Sequence, residues 1–326
     1  MQKHALIFGG AGFIGSHLSQ SLVESGEYAR VICIDIQPPR WRTEGVEYRE
    51  MDVRKPISVD AFEGEISEIY NFAAVHTTPG HEDWEYYWTN VLGATHVCDF
   101  ARAKGVNKVV FTSSIAVYGP SEEMLDENSE LRPESAYGKS KFCAEQIHHQ
   151  WQHEAPDTRK LVIVRPAVIY GYKEYGNFTR MSKMLSKGRF AFPGRKDTIK
   201  SCGYVKDLVR SMAFMIGQDS NSITYNFAYP DRYSAEDITK AFVEVGGYKD
   251  VTYTLPLPMM LAVGLGFEIL NAVGFTTSIN RARVMKLNKS TNIIPKVLVD
   301  SGFSYQFDLK SSLQDWTSSS TESDFD

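Results

Sequence analysis

A tyrosine and a lysine stand four positions apart in "SAYGKSK", residues 135–141, with small or polar residues between them. On a helix Tyr137 and Lys141 would share one face, because residues i and i+4 are neighbours there. Such a pair can move a proton. A free phenol has a pKa near 10, poorly matched to proton transfer at neutral pH. An ammonium at ~4 Å, across an effective dielectric of about 20, favours the phenolate by roughly 4 kcal/mol, or about 3 pKa units. The Tyr-x-x-x-Lys spacing is common by chance, so its meaning depends on its surroundings.

Two other stretches supply a context. "VVFTSSIAVYG" ends an apolar run with Thr112, Ser113 and Ser114, whose hydroxyls can hydrogen-bond a substrate hydroxyl or the carbonyl derived from it. "ALIFGGAGFIGSHL" places Gly9, Gly12 and Gly15 after one strand and at the mouth of a helix. Gly9 permits the tight turn, Gly12 lets backbone approach a pyrophosphate, and Gly15 lets the helix pack on the sheet. The helix N-terminus offers free N–H donors to the phosphates. Asp35 ends the second apolar run, 20 residues after Gly15. It can accept hydrogen bonds from an adenosine ribose and would repel a 2′-phosphate, which predicts NAD. Arg40 and Arg42 follow closely enough to meet a 2′-phosphate, which leaves NADP as the alternative. The positive nicotinamide would favour the Tyr137 phenolate further, and Lys141 can hold the nicotinamide ribose. Serine, tyrosine and lysine beside a dinucleotide then form a hydride-transfer centre.

The elements that must position these residues follow from the pattern. "ALIFGG", "VICIDI", "EIYNFAAV", "KVVFTSS" and "KLVIVRPAVIYG" read as buried parallel strands. Ile14, Leu18 and Leu22 mark one helix between them. "WTNVLGATHVCDFARAKG" reads as another, ending at Gly105 after a basic last turn. This alternation predicts an α/β fold with a Rossmann-type doubly wound parallel sheet. Residues 1–165 read as the NAD-binding domain. Residues 166–316 read as a smaller, partly interleaved C-terminal substrate-binding region, and the polar acidic tail 317–326 as disordered.

Composition narrows the classes. Of 326 residues, 43% are apolar and 23% charged, ordinary for a globular chain, and a net charge of −5 leaves no basic footprint for nucleic acid. Cys33, Cys98, Cys143 and Cys202 are far apart with no C-x-x-C pair, which suits reduced thiols in the cytoplasm. "MQKHALIFGG" enters a strand at once, without a signal-peptide pattern. Residues 255–275, "LPLPMMLAVGLGFEILNAVGF", carry two early prolines, Glu268 and Asn271, and read as a buried helix or pocket wall rather than a membrane span. His149 and His153, with His148, read as a solvated helix face, and no metal is expected.

Together, "GGAGFIG", "SSIAVYG" and "YGKSK" resemble the extended short-chain dehydrogenase/reductase family, which contains nucleotide-sugar epimerases, dehydratases and ketoreductases. The resemblance runs from Ala5 to Trp316. It implies Ser114, Tyr137 and Lys141 as catalytic residues. It also implies Asp52 and Val53 as the adenine pair, Phe72, Ala73 and Ala74 along the cofactor cleft, and Asn90 as an asparagine near the site. Phe13, Ile14, Thr112, Pro166 and Val168 complete the expected NAD contacts.

Departures from the family's patterns bear on the reaction. The 4,6-dehydratases usually show an Asp–Glu pair after a threonine where this chain has Ser114-Ile115, so water elimination is disfavoured. Asn177 and Phe178 resemble residues that meet a substrate diphosphate. Lys200 stands where relatives carry a phosphate-binding arginine, and Arg281 or Arg283 would add a forked contact. His76 and Thr77, with Thr78 and His81, would lie over the sugar, since "AAVHTTPGHEDWEYYWTNV" resembles polysaccharide-cluster epimerases. Val168 and the apolar 255–275 stretch are similar instead to the 3β-hydroxysteroid branch. The implied activity is an NAD-dependent nucleotide-sugar epimerase acting at C4 through a 4-keto intermediate. The alternatives are an NAD(P)-dependent 4-ketoreductase or steroid-type oxidoreductase, and a non-catalytic dinucleotide-binding regulator. The resemblance further implies a homodimer through the helices holding Asn90 and Tyr137, whose Trp84, Tyr87, Trp88 and Trp151 either form such an interface or pack on the sheet.

Overall fold

The structure, a computed structural model, describes residues 3–77, 80–272, 281–320 and 325. Its strands are β1 (Lys3–Phe8), β2 (Tyr28–Asp35), β3 (Val46–Glu50), β4 (Glu68–Asn71), β5 (Lys108–Thr112), β6 (Ser121–Leu125), β7 (Lys160–Pro166), β8 (Val168–Tyr170), β9 (Phe192–Pro193), β10 (Cys202–Tyr204), β11 (Ser222–Phe227), β12 (Thr254–Leu255) and β13 (Thr291–Ile293). The helices are α1 (Phe13–Glu24), α2 (Asp83–Lys104), α3 (Ala136–His153), α4 (Asn177–Ser186), α5 (Val205–Ile216), α6 (Ala235–Gly246), α7 (Leu257–Ala272), α8 (Arg281–Asn288), α9 (Lys296–Asp300) and α10 (Leu309–Ser319).

Seven strands form one parallel sheet in the order β11-β7-β5-β4-β1-β2-β3. The order reverses between β1 and β4, the switch point where a doubly wound sheet opens a cleft at its strand C-termini. Apolar residues cover both sheet faces, as buried parallel strands require. Leu6, Phe8, Ile32 and Phe111 pack under α2 and α3, whereas Ile7, Val31, Val110 and Val162 pack under α1 and α5. Gly105, in the left-handed region at φ 71°, ends α2 where the sequence predicts. At its other end α2 starts earlier than the sequence pattern shows, with Glu82 and Glu85 capping each other's backbone.

Several expectations change. "KLVIVRPAVIYG" is two strands rather than one, because β8 leaves the sheet after Ala167 to pair with β10. The short β3 adds an edge strand beyond the expected runs, with Val46 and Tyr48 packed on the core face. Beyond residue 165, α5 and β11 lie in the layers of the sheet formed by the first 165 residues. The tail is ordered further than its polarity suggested. α10 runs to Ser319, and Phe325 is buried against Phe242, Tyr248 and Trp316. His148 is fully buried rather than solvated, stacked 4.1 Å from Phe111 and 3.2 Å from Asn71 Nδ2. Its burial lowers its pKa to about 3, so it is neutral in the folded chain. The stretch expected as a buried helix forms β12 and α7, largely exposed; residues 273–275 lie outside the described residues.

Candidate active site

The glycine loop divides by what each position demands. Gly9 has φ 78°, and a Cβ there would stand 2.5 Å from Ala73 N and 2.6 Å from the Phe72 carbonyl carbon. At Gly15 it would meet Gly9 O at 2.5 Å. The fold itself therefore needs both glycines. Gly12 differs: its backbone is ordinary extended chain, and the one close neighbour of an added Cβ is Gly9 O at 3.3 Å. No side chain caps the α1 N-terminus that Gly12 opens, so the first-turn N–H groups are left for an anion. Asp35 takes a hydrogen bond from Ala11 N at 3.1 Å and another from Gln37 N at 3.0 Å, tying the loop to the end of β2. This uncapped, side-chain-poor cradle fits a dinucleotide diphosphate, with Phe13 and Ile14 as the first helical residues above it.

Both arginines weighed as 2′-phosphate partners are engaged elsewhere. Arg40 donates to the carbonyls of Lys173 and Glu174 and lies between the rings of Phe13 and Tyr175. Arg42 rests 5.1 Å over Tyr48. Asp52 is forked by Arg54, which holds its carboxyl below the usual range, and Arg54 in turn lies over Trp88. Val53 is buried against Gly93, and its carbonyl is 2.8 Å from His96 Nδ1. Asn90 turns out to serve the protein: it bonds both backbone groups of Val75 and donates to Ser140 Oγ at 2.9 Å. It thereby fixes the Phe72–Ala73–Ala74 segment beside the glycine loop and joins α2 to α3.

The residues expected to transfer a proton converge at the end of β5. Ser135 caps α3 by accepting from Gly138 N, which sets Tyr137 and Lys141 one turn apart. Tyr137 lies beside Ser114, whose hydroxyl accepts from Ala116 N at 3.1 Å. Lys141 is 2% exposed, donates to Thr112 O at 2.7 Å and lies 4.9 Å from the Phe111 ring. Burial lowers its pKa to about 7, with Glu145 opposing. Burial raises the Tyr137 pKa, with Ser114 opposing. These directions run against the simple expectation that the lysine makes a phenolate: burial dominates at both groups, and the Lys141 amine is turned to the Thr112 carbonyl. The hydroxyls of Thr112 and Ser113 are buried with no hydrogen-bond partner among the described residues. The turn after Ser114 is Ile115–Val117, which brings no carboxylate for water elimination.

The expected substrate residues are less united. Asn177 opens α4 and accepts from Arg180 at 2.9 Å. The Phe178 side chain is core, stacked 4.4 Å from Tyr170, so only its backbone can meet a ligand. Sequence reasoning missed Glu174, whose carboxylate accepts from Thr179 N at 3.0 Å and so occupies the α4 N-terminus. Lys200 donates to Lys289 O, and Arg281 forms an ion pair with Glu268 at 2.8 Å. His76 and Thr77 are exposed beside the site, and Thr77 O accepts from Tyr86 at 2.6 Å. Pro166 and Val168 end β7 and start β8. The Arg283 side chain and Thr78 lie outside the described residues.

Residues 5–228 match the NAD dependent epimerase/dehydratase family, and the chain belongs to it. It is an extended short-chain dehydrogenase/reductase enzyme with NAD as cofactor. Among its relatives is the N-acetyl-α-D-glucosaminyl-diphospho-ditrans,octacis-undecaprenol 4-epimerase of Escherichia coli O157:H7. The two are 27% identical over 96% of this chain and 94% of that one. UDP-glucose 4-epimerase of Bacillus subtilis is 26% identical over 76% of this chain and 83% of its own. MoeE5 in complex with UDP-glucose and NAD superposes with a TM-score of 0.75 over 97% of this chain and 99% of that one. At 22% identity that likeness speaks for the fold.

Proposed function

We propose that this enzyme is an NAD-dependent nucleotide-sugar epimerase that inverts C4 of a sugar carried on a diphosphate. The observation that carries the reading is the meeting of Tyr137 with Ser114 at the end of β5, one helical turn from Lys141. Bound in the adjacent cleft, NAD would supply a hydride acceptor for C4 and, once reduced, the donor that restores it. Gly12 and the α1 N-terminus would hold its diphosphate, Asp35 would accept from its adenosine ribose, and Lys141 would serve its nicotinamide ribose. Tyr137 accepts the proton of the C4 hydroxyl as that carbon loses hydride, and returns it to the keto oxygen when hydride comes back. Ser114 holds the hydroxyl and then the keto oxygen. Inversion requires the keto sugar to present its other face before hydride returns. The positive ring of oxidised NAD, when bound, would offset the burial that raises Tyr137. Substrate diphosphate would take the α4 N-terminus, where Glu174 now stands as an anion. The reading also includes a homodimer through α2 and α3, where Trp84 and Trp88 are exposed, and a reducing, cytoplasmic setting for the four unpaired cysteines.

A second reading of the carrier is favoured by one observation: the exposed apolar helix α7. The Escherichia coli relative acts on a sugar linked by diphosphate to a polyprenol, and the same chemistry at C4 would serve that substrate here. The test incubates purified enzyme, without added NAD(P)H, with UDP- and GDP-sugars and with N-acetylglucosaminyl-diphospho-polyprenol. Exchange between C4 isomers is expected. No exchange with any of them rejects the epimerase, and exchange limited to the lipid-linked sugar selects the second carrier.

A further inference from the structure

The segment before and along α7 is built against the usual rule for a water-facing helix. Met259, Val263 and Ile269 are 57%, 51% and 59% exposed, and Tyr253 leads in at 76%. Neither face of the helix is polar. Its one charged residue, Glu268, is bound to Arg281 of α8, which packs at Gly264. A helix apolar all round is normally buried, and an exposed patch of this kind marks an interaction site. At 16 residues, α7 spans about 24 Å, short of the ~20 residues a bilayer crossing requires. No helix among the described residues is long and apolar enough to cross a membrane.

Charge identifies the partner. The whole chain carries −5, yet residues 177–194 contain four basic residues and no acidic one, and residues 281–289 contain four and none. Each segment meets the apolar one along part of its length. β9 pairs with β12, where Phe192 N donates to Tyr253 O and Gly194 N to Leu255 O, each at 2.9 Å, and α8 packs on α7. Lys187 and Arg189, at the head of this loop, are exposed and pair with no carboxylate among the described residues. An apolar helix with an interfacial tyrosine and a basic border is complementary to an anionic lipid surface.

The geometry points to α7 and its basic border as a docking surface for an anionic bilayer, on which the enzyme lies without crossing it. Insertion of Met259, Val263 and Ile269 would bring Lys187 and Arg189 to the headgroups. The inference rests on the polyprenyl-diphosphate reading only for its purpose, since such a substrate keeps its tail in the membrane.

The test is co-sedimentation of the full chain with phosphatidylcholine vesicles, with and without phosphatidylglycerol, alongside light scattering for oligomeric state. Wild type should bind the anionic vesicles and bind the neutral ones weakly. Met259→Ser/Val263→Ser/Ile269→Ser should lose on the order of a hundredfold in partitioning. Lys187→Glu/Arg189→Glu should lose about tenfold, on anionic vesicles alone. Unchanged epimerisation of a water-soluble UDP-sugar, or unchanged melting where no such sugar is a substrate, certifies that the variants fold. Wild type that ignores both vesicles overturns the proposal. So does a triple variant that still binds, or one whose only change is loss of a dimer. Vesicle binding without epimerisation of any sugar removes the proposed function and leaves the docking surface standing.

Discussion

The glycine loop and the α7 region are both rich in small or apolar residues, but they answer to different constraints. Around Gly9 and Gly15 the constraint is internal, because two backbones approach so closely that no Cβ fits. Around α7 the protein supplies little cover for Met259 or Ile269, and the border is basic although the chain is acidic. A region closed upon itself is shaped by its own fold, whereas an open one is shaped by what it meets. Gly12 and the Tyr137 site lie between these cases: held by the fold, they leave donors and hydroxyls facing the cleft.

The largest effect should come from the open end of the closed region. Tyr137→Phe removes the proton carrier and should lower turnover by about 10²–10⁴-fold, with bound NAD and vesicle partitioning unchanged. Stopped turnover accompanied by loss of NAD would make Tyr137 a cofactor residue instead.

Next, the glycines can be set against one another. Gly9→Ala places a side chain at positive φ and within 2.6 Å of backbone, and should destabilise the fold by about 3 kcal/mol in urea titration. Gly12→Ala should shift the urea midpoint little and instead reduce the NAD that co-purifies. Equal loss of stability in both variants would erase the distinction between a glycine needed by the fold and one needed by its ligand.

A smaller effect is carried by pH. Burial holds Lys141 at about 7 in the folded chain against 10.5 ordinarily. Between those values the unfolded chain holds a proton that the folded chain has released. Stability of the NAD-stripped protein should therefore rise with pH across that window, by at most about 1.4 kcal/mol per unit from this group. Below about pH 7 the penalty is constant. Lys141→Met should flatten the slope in urea midpoints taken between pH 7 and 9, and an unchanged slope would assign it to other groups.

The sheet and its cofactor cradle were legible because the rules behind them are local. Strand runs, Gly9, Gly12, Gly15 and Asp35 stand at spacings that sterics and phosphate binding dictate. Tyr137 and Lys141 were legible by their helical interval, and Ser114 by its place at a strand end. What escaped depends on long-range contacts. Arg40 reaches 133 residues along the chain to Lys173, and Glu174 finds the α4 N-terminus through a turn whose residues Lys173 and Tyr175 have positive φ. Phe178 has the position of a ligand contact but the side chain of a core residue. Phe325 sits in an acidic tail whose composition gives no sign of the aromatic pocket that receives it. For α7 the composition was read correctly as apolar, and it was burial, a property of the whole fold, that the pattern could not supply.

The central claim is that hydride taken from C4 returns to the same sugar while the cofactor stays in place. The most direct measurement follows nicotinamide absorbance and sugar isomers together, using enzyme with its bound NAD, an exchanging sugar diphosphate and no added cofactor. The account predicts many turnovers of isomer exchange per enzyme with no net change in absorbance. Isomer formation that requires added NAD(P)H, one equivalent consumed per product, would contradict it and make the enzyme a ketoreductase.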